Sequence, residues 1–160
     1  MPSVSSLGHI GIAVYDYPKM RDFYTRVLGM HVTDEAEDRE MCFLTARPGE
    51  EHHELLLSGG RDTPDTMRLL GQISFHVDSI KDLREFHKLF IREGIRIQSV
   101  VSHGNTASIY CFDPEDNVVE VYFSIPVDWK QPFRADIDLS LDDEGVMLQI
   151  SEATSGAVKL

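Results

Sequence analysis

The sequence predicts an α+β fold in which two tandem βαβββ modules form one open, barrel-like cavity, and three observations predict it. A short alternating strand followed by an amphipathic helical stretch occurs twice, over Leu7 to Leu28 and over Gly71 to Phe90. Each helical stretch is followed by three short runs of β-formers, separated by polar, Pro or Gly turns. The second copy lags the first by 63 residues, so Gln72 stands where His9 stood, and the chain reads as a duplication rather than two independent domains. A sheet with one helix covers only one of its faces, and two such sheets edge to edge can curl their bare faces around a shared cavity.

In the first module, about residues 5–60, Leu7 to Val14 alternates with Ile10, Ile12 and Val14 on one face and His9, Gly11 and Ala13 on the other. Asp16 is the N-cap candidate for a helix whose apolar stripe is Met20, Phe23, Tyr24, Val27 and Leu28, with Gly29 as its stop. His31 to Thr33, Met41 to Thr45 and Glu54 to Ser58 supply the three strands. The second module, about residues 68–124, repeats the order. Gly71 to Val77 is its first strand, Asp78 or Ser79 its cap, and Ile80, Leu83, Phe86, Leu89 and Phe90 its helical stripe towards Gly94. Ile95 to Val101, Ala107 to Phe112 and Val118 to Phe123 complete it. Residues 125–160 break the pattern and read as a C-terminal tail: Pro126 to Phe133 is irregular, Asp136 to Glu144 is acidic and solvated, and Ser151 to Leu160 is frayed. Trp129 and Phe133 are expected to pin this tail to the rest.

A net charge of −12 leaves no basic field to neutralise phosphates, which argues against nucleic acid and anionic membranes as partners and for a small molecule. No apolar run is long enough to span a bilayer, and Cys42 and Cys111 both sit inside apolar runs. With no secretory leader ahead of the fold, a soluble cytoplasmic protein is expected.

Chemistry concentrates in Val101 to Glu120. Tyr110 to Phe112 and Val118 to Phe123 flank the turn residues Asp113-Pro114-Glu115-Asp116-Asn117, so the segment is a hairpin with Tyr110 and Glu120 paired across it and His103 in the loop before it. Together with GHIGIAV at Gly8 to Val14, FYTRVLGM at Phe23 to Met30 and DPEDNVVEVY at Asp113 to Tyr122, this hairpin resembles the vicinal oxygen chelate superfamily over about residues 5 to 124. That superfamily holds glyoxalase I, bleomycin- and fosfomycin-resistance proteins, methylmalonyl-CoA epimerase and type I extradiol dioxygenases. The order His103, GNTAS, Ile109-Tyr110, Asp113-Pro114, Glu120 is similar to the extradiol dioxygenase signature, with Asp116 in place of its usual Gly. Glu50-Glu51-His52-His53 is similar to the histidine pair that precedes the fourth strand in those enzymes.

The resemblance implies a metal held by His9, Gln72 and Glu120, with His53 as acid/base residue and His103 and Tyr110 contacting the substrate hydroxyls. Fe(II) is the metal it implies first, with Mn, Ni, Co or Mg as alternatives, an aromatic diol as substrate, and a homodimer as assembly. Gln72 departs from the pattern, because dioxygenases usually supply a second histidine there to complete a 2-His-1-carboxylate face. A neutral amide keeps the charge of a neutral imidazole but is a harder, weaker donor for Fe(II).

A second arrangement takes Glu54 as a fourth ligand beside His9, Gln72 and Glu120, suiting an octahedral ion and the enolate chemistry of glyoxalase- and epimerase-like isomerases. In a regular strand only one of the neighbours His53 and Glu54 faces the cavity, so their register separates the two readings. A third reading is a bleomycin-sequestering type of binder, which the negative charge suits but the ligand-like pair His9 and Glu120 does not. Each residue also has a plain explanation: His9 as a hydrogen-bonded cavity residue, Gln72 as filler of a lost metal site, Tyr110 as a β-former, and His52, His76 and His103 as solvated or structural histidines.

Overall fold

A computed structural model describes residues 7–63 and 70–155, so the expected module limits at residues 5 and 68 and the chain end at 156–160 lie outside the described residues. The chain forms two compact units, Met1–Arg68 and Leu69–Leu160. The architecture is α+β, with one four-stranded and one five-stranded sheet, and neither closes into a barrel.

The first unit runs β1 (Ile10–Ala13), α1 (Tyr17–Asp22), a π-helical turn (Phe23–Val27), β2 (His31–Ala36), β3 (Met41–Thr45) and β4 (Leu55–Ser58). Its sheet order is β1-β4-β3-β2, with β1 parallel to β4 and the other pairs antiparallel. Asp16 caps α1 by accepting from the Lys19 amide at 3.1 Å, as its sequence position predicts. The stripe Met20, Phe23, Tyr24 and Val27 is buried against Leu44, Leu55 and Leu57 of the same unit's core. The helix does not stay α to its end: Leu28 donates to the Phe23 carbonyl at 3.1 Å, five residues back. This wider turn accommodates the consecutive buried aromatics Phe23 and Tyr24, which meet edge to face at 5.3 Å.

The first strand is shorter than its alternation predicts, because β4 begins at Leu55 and pairing starts with Ile10 opposite it. His9 therefore stands one residue ahead of β1. On the edge strand β2, Glu35 accepts from Tyr17 at 2.7 Å and from both Arg21 Nε and Nη2 at 2.7 Å. The Arg21 guanidinium and the Tyr17 hydroxyl hold the Glu35 carboxyl below the usual carboxylate range.

The second unit runs β5 (Ile73–Val77), α2 (Ile80–Arg92), β6 (Ile97–Ser102), β7 (Thr106–Phe112), β8 (Val118–Ser124), β9 (Ala135–Asp136) and α3 (Asp143–Ala153), in the sheet order β5-β8-β7-β6-β9. Ser79 is the cap of α2, accepting from the Asp82 amide at 3.1 Å. Leu83 and Phe90, two turns apart on one helix face, are fully buried with Ile109, Cys111, Val119 and Val121. Full burial of each such side chain stabilises the fold by about 1.5–3 kcal/mol. Gln72 again stands one residue ahead of its strand, so the duplication holds at the backbone.

Residues 125–155 differ from the expected irregular, solvated tail. Ala135 and Asp136 pair with Ser102 and Val101, which adds β9 to the edge of the sheet. Asp142 accepts from the Gly145 amide at 2.8 Å and starts α3, where Asp143 and Glu144 suit the positive end of the helix. Val146 and Ile150 are buried, and Asp143 pairs with Arg84 of α2. The acidic run is thus a helix start, with Asp136, Asp138 and Glu144 exposed. Trp129 lies over Gly104 and meets Phe133 edge to face at 5.6 Å, the anchoring role their sequence suggested. Gly104 has φ +82°, and a Cβ there would overlap the Trp129 ring.

Candidate active site

In the first unit the His53 ring lies 4.2 Å from that of His9 and packs edge-on against Phe43 at 5.0 Å. His52 Nδ1 is 2.9 Å from His53 Nδ1. Burial first, and then the neighbouring His9 and His52 imidazoles, push the His53 pKa below the ordinary histidine value, because each makes a further positive charge there costly. At neutral pH His53 is uncharged and available as a proton acceptor.

Glu54 is engaged elsewhere. One carboxylate oxygen accepts from the Ala46 amide at 2.8 Å and from Thr45 Oγ1 at 3.2 Å, and the other from Arg47 Nε at 3.1 Å and Nη2 at 3.0 Å. Burial raises its pKa, but the Ala46 amide and the Arg47 guanidinium outweigh that and hold the carboxyl below its usual range. Both residues precede β4, and they take opposite tasks: His53 stacks on His9, while Glu54 ties down the turn after β3.

In the second unit one sheet face collects polar side chains. Register places Tyr110 of β7 opposite Glu120 of β8, and Ser74 of β5 opposite Glu120 on its other side. Glu120 is only 8% exposed. One of its oxygens accepts from Ser74 Oγ at 2.6 Å and from Gln72 Nε2 at 3.0 Å. Among the described residues no salt bridge to it is found, and the donors that meet this buried carboxylate, Ser74 and Gln72, are neutral. Glu120 offers a hard anionic oxygen to a cation, and the Gln72 amide oxygen becomes available if the amide turns and gives up its bond to Glu120, but among the described residues no three His, Cys, Asp or Glu side chains come together as a ligand set.

His103 is half-buried rather than solvated. Its Nδ1 lies 2.8 Å from the Phe133 carbonyl, which can only accept, so the neutral ring carries its proton on Nδ1. Its Nε2, 3.2 Å from the Tyr110 hydroxyl, is then the acceptor, and Tyr110 donates. Burial and then the Glu120 carboxylate push the Tyr110 phenol up to about 12. Ser108, two residues along the same face of β7, is buried beside Tyr110, and its hydroxyl acts to lower the phenol's pKa against those larger effects. His76 is half-exposed beside Tyr122 and takes no part.

An open cavity of about 410 Å³ in this unit is lined by Gln72, Gln98, Ser99, Tyr110, Val118 and Arg134 among others. Of these, sequence reasoning found Gln72 and Tyr110. It missed Ser74, although strand alternation places Ser74 on the face of Gln72, and it missed Arg134, which follows the repeat.

A family model described as the Glyoxalase/Bleomycin resistance protein/Dioxygenase superfamily matches residues 6–121. Biphenyl-2,3-diol 1,2-dioxygenase 3 of Rhodococcus globerulus is 35% identical over 121 residues, which cover 72% of this chain and 61% of that protein. The 3-methylcatechol 2,3-dioxygenase of Pseudomonas putida is 27% identical over 143 residues, covering 86% of this chain and 46% of its own. The chain thus spans roughly half to three-fifths of these relatives. A lactoylglutathione lyase from Agrobacterium tumefaciens shares the fold with a TM-score of 0.60 at 19% identity, over 76% of this chain and 96% of its own. With its duplicated βαβ order, its Tyr110–Glu120 hairpin and a family match over most of its length, the chain belongs to the glyoxalase, bleomycin resistance protein and dioxygenase superfamily.

Proposed function

We propose that the chain carries the site of a metal-dependent, extradiol-type ring-cleaving dioxygenase acting on an aromatic diol. Relatives at 27–35% identity bear the names of enzymes that act on biphenyl-2,3-diol and 3-methylcatechol. The observation that carries the reading is the division of labour between His53 and Glu54: the histidine keeps company with His9, while the carboxylate that an isomerase-type site would need is held by Arg47, Thr45 and Ala46.

By the sequence resemblance, His9 of the first unit and Gln72 and Glu120 of the second are the residues that would hold the ion, with Fe(II) as the metal. When bound, it supplies Lewis acidity and one-electron chemistry at a face with open positions. The chain's own residues do the rest. His53, neutral at working pH, accepts the hydroxyl proton of the arriving diol. Tyr110 keeps its own proton because its pKa is so high, and so it can donate to the anionic oxygen that develops. His103, fixed by the Phe133 carbonyl, sits behind Tyr110 as the second member of a proton-carrying pair.

Two variants test this assignment by metal analysis and oxygen uptake. Glu120→Ala is expected to lose bound metal and activity together. Tyr110→Phe is expected to keep the metal and lose about a hundredfold in kcat, the usual scale for a lost oxyanion donor. Unchanged uptake in either variant would remove that residue from its role.

A further inference from the structure

We propose that Arg134 binds an anionic group on the substrate, so that the diol this site takes carries a carboxylate on its ring substituent. The proposal rests on the ring-cleaving reading above and extends it to the substrate class.

Three observations support it. First, the cavity beside Tyr110 is polar: Gln72, Gln98, Ser99 and Arg134 line it, and Val118 is the one aliphatic side chain among its described lining residues. An uncharged phenyl or methyl substituent would find little to pack on there, whereas an anion would find a guanidinium and neutral amide and hydroxyl donors. Second, Arg134 pairs with no carboxylate among the described residues, in a chain with 27 acidic side chains against 15 lysines and arginines. An arginine left without a partner in so acidic a protein, and facing a cavity, has its planar fork free for bidentate recognition of a carboxylate.

Third, the backbone on both sides of Arg134 is fixed. The Phe133 carbonyl accepts from His103, the Phe133 amide donates to Gln131 Oε1 at 3.1 Å, and Ala135 pairs with Ser102 in β9. The segment is therefore held along the β6 edge next to the candidate catalytic pair. The cavity of about 410 Å³ is within the range of small-molecule sites.

The test compares 3,4-dihydroxyphenylacetate with 4-ethylcatechol, a near match in size without the charge. Titration calorimetry on the metal-loaded parent should show the acid binding about tenfold tighter, the order expected of one charge-assisted pair. Arg134→Ala should remove that preference, and Arg134→Lys should keep part of it. In oxygen uptake, Arg134→Ala should raise KM for the acid with kcat held within about twofold, the signature of lost uniform binding. The rise in KM for 4-ethylcatechol should be several-fold smaller than for the acid. Equal binding of the two diols by the parent, or a preference that survives Arg134→Ala, would overturn the proposal. If neither diol drives oxygen uptake yet the acid binds through Arg134, the anion site stands and ring cleavage falls. If 4-ethylcatechol is consumed as readily as the acid and Arg134→Ala alters neither, ring cleavage stands and the anion site falls.

Discussion

Gln72 occupies the position at which the extradiol pattern leads one to expect a histidine, and its amide is spent on Ser74 and Glu120. Replacing it tests how far the pattern holds: Gln72→His should raise the iron retained after purification, as an imidazole is the better donor for Fe(II). Equal, tight iron in both proteins would show that position 72 is no ligand. At the same scale, Glu35 ties Tyr17 and Arg21 together, and its folded pKa lies below the unfolded value near ~4.3. That stabilisation is present above the unfolded pKa and is lost as pH falls through the lower, folded value. Glu35→Gln should therefore cost about 1 kcal/mol at pH 7, a figure already reduced for its partial exposure. In urea melts the gap to the parent should narrow below about pH 4. A gap that stays constant with pH would contradict the ion-pair origin. His9, Tyr110 and Glu120 could be singled out because strand spacing and signature order fix them. Whether His53 or Glu54 faces the site could not be read, because neither lies in a strand and their directions depend on Arg47 and His9.

The elements readable from sequence were those with strong periodicity. α1 and α2 carry apolar stripes and side-chain caps, and both formed where their patterns placed them, apart from the π turn that the adjacent aromatics require. α3 was missed because its buried residues, Val146 and Ile150, are sparse while Leu148 is half-exposed, so the stripe is weak beside the acidic signal. Asp142 before Val146 was the available clue. Ile150→Ala should cost about 2–5 kcal/mol if α3 is an integral part of the second unit, as its full burial indicates. A loss under half a kcal/mol would mean the helix is an appendage. Gly104 tests the other anchor: Gly104→Ala adds about 1–2 kcal/mol of left-handed strain and a clash with Trp129. It should expose Trp129, and an unchanged tryptophan emission maximum would show that the ring does not depend on that close approach.

For the whole molecule, the duplication was legible in the 63-residue offset, and it reappears as two units that each begin with a candidate ligand one residue ahead of the first strand. The α+β class with its two-module order was legible too, but the residues after the repeat were not: they complete the second sheet through β9, which also fixes Arg134. No repeat pattern could reveal that, since the pairing of Ala135 with Ser102 is a long-range contact made by a segment without periodicity. Among the described residues no helix is long and apolar enough to cross a membrane, and the net charge of −12 remains an argument against nucleic acid as a partner. The proposed homodimer is open to light scattering.

The most direct measurement is oxygen consumption across a panel of uncharged and carboxylated catechols after anaerobic reconstitution with ferrous iron. Uptake with at least one diol, dependent on iron and absent in Glu120→Ala, is the expected result. No uptake with any diol, together with tight nickel or cobalt binding by the parent protein, would contradict ring cleavage and move the site to isomerase chemistry.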